Sequence, residues 1–122
     1  MELIFIYNAG SGLFNAMSDF AHKLLSPSTY PCSLCMLTYG NTGMKKEWKT
    51  FLESLPYKKT FLHKDEAQKT SVEIPKELPA ILLKDEQGEI QQLVSATELN
   101  QLQSLKELML FLQKRLKSHA EN

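Results

Sequence analysis

The chain has 122 residues, 43% of them hydrophobic and 23% charged, and its fourteen basic and fourteen acidic side chains cancel. That length suits one domain spanning residues 1–122, large enough to bury a core without crosslinks to hold it. The balanced charge offers no field to gather nucleic acid or an anionic membrane, so neither is expected as a partner.

The opening run is apolar from Leu3 to Tyr7 and has no helical period, which predicts a strand buried on both faces. It carries Glu2 where a secretion signal carries basic residues, and it lacks a small-residue cleavage site. No stretch approaches the roughly eighteen apolar residues of a membrane span. The expectation is a cytoplasmic protein, in a compartment that keeps thiols reduced.

Asn8-Ala9-Gly10-Ser11-Gly12 breaks the strand, and Leu13, Met17, Phe20, Ala21 and Leu24 then fall on one helical stripe that ends at Ser26-Pro27. Cys35-Met36-Leu37-Thr38-Tyr39 is apolar, β-favouring and short, so it reads as a second strand closed by Gly40-Asn41-Thr42-Gly43. Met44, Trp48, Phe51, Leu52 and Leu55 mark a second amphipathic helix that Pro56 terminates. Lys59 to His63 reads as a third strand, and Lys64 to Lys76 as a helical turn and a loop.

Pro79-Ala80-Ile81-Leu82-Leu83 is a strand opened by proline, and Asp85-Glu86-Gln87-Gly88 turns it back into a hairpin with Glu89 to Val94. Ser95-Ala96-Thr97-Glu98 and Ser104-Leu105-Lys106-Glu107 both have capping-box spacing. The second box opens a last helix with Leu105, Leu108, Met109, Leu112 and Leu116 inward. Such β-α-β-α-β alternation implies parallel strands joined by right-handed crossovers, with helices on both faces.

A strand beginning at proline, a hairpin and a closing amphipathic helix, carried by Leu78-Pro79-Ala80-Ile81-Leu82-Leu83, Gly88-Glu89-Ile90 and Ser104 to Leu116, resemble the C-terminal half of the thioredoxin fold. The resemblance implies a thioredoxin-like three-layer α/β/α domain around a central mixed sheet of about four or five strands. It also implies a cis Leu78–Pro79 bond, the isomer that family uses beside its active site. The Tyr7-Asn8-Ala9…Ser11-Gly12 opening and the Cys32-x-Leu34-Cys35 run further resemble small uncharacterised bacterial proteins, a likeness that implies no activity.

Cys32 and Cys35 are the only cysteines, and the resemblance makes them candidate catalytic residues for thiol-disulfide exchange, Cys32 attacking and Cys35 resolving. That chemistry needs the pair at a helix N-terminus, which favours the thiolate. With Cys35 to Tyr39 in a strand, however, the pair would sit at the sheet's end away from Pro79. If Pro31 instead opened a helix from Cys32 to Tyr39, Cys32 would be activated and Gly40 would end that helix. Two other readings stay open. The pair is half of a zinc site that His22, His63 or Asp65 could complete, or it is two small apolar fillers in the core.

A separate candidate is a binding site at the strand ends. Asn8, Gly10 and Ser11 form a glycine-rich turn before a helix, where free N–H groups favour an anion. Tyr39 and Asn41 precede the next helix, whose Lys45 and Lys46 suit a nearby anion, and Pro79 would complete the edge. The expected partner is therefore a protein thiol or a small anionic ligand. No cofactor and no resident metal are implied.

Overall fold

Leu3, Phe5, Ile6 and Tyr7 are at most 1% exposed and Ile4 only 3%, as a strand at the centre of a sheet requires. The structure, a computed structural model, describes residues 1–8, 32–40, 43–70 and 74–121. The expected first helix, Leu13 to Leu24, and the Gly10, Ser11 and Asn41 candidates lie outside these residues.

Within them, β1 (Glu2–Ile6) pairs in parallel with β4 (Lys58–Leu62) and antiparallel with β5 (Ala80–Lys84). β5 continues antiparallel to β6 (Ile90–Val94), which gives a four-stranded mixed sheet in the order β4-β1-β5-β6. The register sets Ile6 opposite both Leu62 and Ala80. The carboxyl ends of β1 and β4 therefore share an edge with Pro79, which enters β5. The parallel pairing of β1 with the strand at Lys58, and the hairpin after Pro79, follow the expected organisation.

One segment departs from it. Ser33–Thr38 is a helix, α1, rather than the strand expected over Cys35 to Tyr39. Leu34, Cys35, Leu37 and Thr38 are its buried residues, a one-sided pattern that a strand of alternating faces cannot produce. α1 packs against α4 (Ala96–Gln101) and α5 (Leu105–Glu121). Leu34, Met36 and Leu37 are good helix formers, and burial there supplies the stability that so short a helix lacks in isolation. Only Tyr39–Gly40 is extended, as β2, pairing with β3 (Gly43–Met44) in a separate two-stranded ribbon.

α2 (Lys46–Ser54) follows and buries Trp48, Phe51 and Leu52, while the short α3 (Lys64–Gln68) follows β4. The larger core lies on the face lined by Leu3, Phe5, Tyr7, Ile81 and Leu83, closed by residues of α1, α2, α4 and α5. On the other face Ile4, Ile6, Ala80 and Leu82 meet Ala67 of α3. Leu93 and Val94 are consecutive yet join the same cluster, because the register slips between Ile81 and Leu82 and such a bulge turns two neighbours to one side. Among the described residues no helix is long and apolar enough to cross a membrane.

Candidate functional site: the Cys32–Cys35 crosslink

A helix needs a partner for the N–H groups of its first turn, and at the start of α1 a sulfur supplies one. Cys32 is the N-cap, in extended conformation at φ −126° and ψ 95°, and its Sγ accepts the Cys35 N–H at 3.2 Å. The Cys32 carbonyl accepts the Met36 N–H at 3.2 Å. The same Sγ is bonded to Cys35 Sγ, with the two Cα atoms 5.3 Å apart. The disulfide therefore closes the first turn of the helix.

This geometry corrects the strand register. Disulfide sulfurs are not free thiol fillers, and they lack the thiolate that zinc requires. Among the described residues, no three His, Cys, Asp or Glu side chains form a group able to hold a metal ion. His22 lies outside those residues. Both cysteines are buried, at 0% and 1% exposure, so an incoming thiolate reaches sulfur only when the surrounding structure opens.

At its far end α1 hands the chain to the strand-end cluster. The Thr38 hydroxyl donates to the Leu34 carbonyl at 2.6 Å, and the Tyr39 N–H donates to the Cys35 carbonyl. The half-buried Tyr39 ring stands edge-on to Tyr7, with centroids 6.0 Å apart. Tyr7 also lies nearly parallel to Phe61 at 6.4 Å and tilted against His63 at 5.8 Å. Burial, then the neighbouring Tyr39 hydroxyl, pushes the Tyr7 hydroxyl far above the usual tyrosine range; it stays protonated.

The sheet edge thus brings together Tyr7, the half-buried Asn8, His63 and the buried Pro79, whose bond to Leu78 is cis as the resemblance implies. His63 precedes α3, and its N–H donates to Glu66 Oε1 at 2.9 Å. That bond, with the His63 ring contact next, holds the Glu66 carboxyl below the usual range. Lys45 is the N-cap of α2 without a side-chain capping bond. The part played by Tyr7 was missed because its position reads simply as the last apolar residue of a strand. His63-x-x-Glu66, three residues apart, was the available clue to the α3 cap.

No protein-family model, no curated protein and no solved structure matches the chain.

Proposed function

We propose that the protein is a thioredoxin-like thiol-disulfide exchange protein that works through Cys32 and Cys35. The observation that carries this reading is the bonded pair at the first turn of α1, with the Cys35 N–H held on Cys32 Sγ. Once the pair is reduced, the same N–H is available to a thiolate at Cys32, a charge-assisted bond that favours Cys32 as the attacking sulfur. The strand order β4-β1-β5-β6, with β5 and β6 antiparallel after Pro79, supports the thioredoxin-like arrangement. A cytoplasmic setting, which keeps thiols reduced, suits a pair that cycles better than a permanent crosslink.

The chemistry balances as two displacements. Reduced Cys32 attacks a partner protein's disulfide, forms a mixed disulfide and releases one partner thiolate. Cys35 then attacks Cys32 Sγ, releases the second partner thiolate and restores the bond seen here. Two electrons and two protons pass to the partner. Because both sulfurs are buried, the partner must gain access through an opening of the site.

Two measurements test the reading. Equilibration with glutathione buffers, read by thiol-specific alkylation, should show the pair opening and closing within the cytosolic range. A pair still fully bonded at roughly −300 mV is a structural crosslink, and the reading fails. In Cys35→Ser, Cys32 should be trapped in a mixed disulfide with an added disulfide substrate, whereas Cys32→Ser should trap little. Equal trapping by both variants would remove the assigned roles.

A further inference from the structure

α1 contains only Ser33–Thr38, far short of the ~12–15 residues at which an isolated helix becomes even marginally stable in water. Its first turn is held by the disulfide and by the N–H bond on Cys32 Sγ. Its last turn passes that constraint on, because the Tyr39 N–H bonds to the carbonyl of the crosslinked Cys35. The ribbon is tied to the same helix end: the Lys45 N–H, just after β3, donates to the Thr38 carbonyl at 2.9 Å. Tyr39 then pairs with Met44 and rests its ring on Tyr7.

We infer that the Cys32–Cys35 bond is a redox switch for the β2–β3 ribbon: opening it frays α1 and lets the Tyr39 ring leave Tyr7. A dithiol such as dithiothreitol opens the bond by attacking one sulfur and then closing its own cyclic disulfide. Two electrons and two protons pass to Cys32 and Cys35, which become thiols. The crosslinked positions are three apart, and releasing a loop that small favours the opened helix by about twentyfold on chain-entropy grounds. β1 and β5 are held by their ladders and by the core on both faces, so they need not follow. The coupling requires only that the bond opens, not that it exchanges with a protein partner.

Amide hydrogen exchange on the oxidised and dithiothreitol-reduced protein tests the switch. The amides of Cys35, Met36, Tyr39 and Lys45 should exchange about twentyfold faster after reduction, through an opening that low urea does not promote, while those of Phe5 and Leu82 still exchange only through the urea-dependent global unfolding. The cross-relaxation signal between the Tyr7 and Tyr39 rings should weaken in the same sample. Cys35→Ala, which removes the crosslink without a reductant, should reproduce both changes. Unchanged protection at Tyr39 and Lys45 would overturn the inference. So would exchange at Tyr39 and Lys45 with the same urea dependence as at Phe5 and Leu82, which would make the bond a general crosslink for the whole fold. If the bond opens with dithiothreitol but never exchanges with a protein disulfide, the proposed activity falls and the switch stands. Exchange without a change at Tyr39 and Lys45 gives the reverse.

Discussion

Glu98 shows how one side chain can hold three segments. Its carboxylate accepts the Ser95 N–H at 3.0 Å, while its own N–H donates to the Ser95 hydroxyl at 3.2 Å, which completes the capping box of α4. Arg115 of α5 pairs with the same carboxylate and donates to the Leu93 carbonyl at the β6 bulge, at 2.8 Å. Partial burial acts to raise the Glu98 carboxyl, but the Ser95 N–H and Arg115 outweigh it and hold the group below the usual range. A carboxyl depressed in the folded state adds stability above its unfolded pKa, and that stability is lost as pH falls through the folded value. The Arg115 side chain is 40% exposed, so solvent screens the ion pair and its share is small. Glu98→Gln keeps an oxygen for the Ser95 N–H, so it should lose only about 0.5–1 kcal/mol at pH 7, from the screened ion pair and the charge on that hydrogen bond, and distinctly less at pH 3. Urea unfolding of both proteins at the two pH values checks this, and equal losses would assign the effect to shape rather than charge.

At the scale of elements, the β5–β6 hairpin depends on one backbone conformation. Gly88 has φ +85°, and a Cβ built on it meets nothing within 4 Å, so any substitution cost is conformational rather than steric. Gly88→Ala should destabilise by about 1–2 kcal/mol, and Gly88→Asn by less, because asparagine tolerates the left-handed region. Thermal unfolding ranks the two, and identical melting points would mean that the turn relaxes. This turn was legible in Asp85-Glu86-Gln87-Gly88, and the α4 cap in Ser95-x-x-Glu98, because the groups that decide each lie within a few residues. α2 was legible from the spacing of Trp48, Phe51, Leu52 and Leu55. α1 was legible only as the second reading, a helix from Cys32 to Tyr39, and two physical reasons kept it second to a strand. Cys35 to Tyr39 is too short an apolar run to tell a helix from a strand by itself, while packing against α4 and α5, distant in the chain, and the crosslink at its start hold it as a helix. The sulfur that caps the helix does so beside a bond whose oxidation state no residue pattern encodes. The Tyr7–Tyr39 contact was hidden for the same kind of reason, since it follows from where α1 ends.

At the scale of the whole molecule, the sheet separates two bodies of core. Ile81 and Leu83 of β5 belong to the larger one with α1, α2, α4 and α5, and Ala80 and Leu82 to the smaller one against α3. Ile4 of β1 lies in the smaller body at 3% exposure, and Ile81 lies in the larger at 0%. Each loses a buried methyl group on truncation to valine, so Ile4→Val and Ile81→Val should each destabilise by about 0.5–1.5 kcal/mol. Gln92→Ala, on the exposed side of β6, should stay within about 0.5 kcal/mol of the parent. The two isoleucines leave opposite faces of the sheet and fall in different clusters. Strain from one cavity must therefore cross the hydrogen-bonded layer to reach the other, and the double variant should lose the sum of the single losses to within about 0.5 kcal/mol. Urea unfolding of the four proteins, run on oxidised samples, measures that sum. An excess above that margin would mean that the sheet transmits packing strain between its faces, so that opening the crosslink on one face would also disturb α3 and the His63 edge on the other.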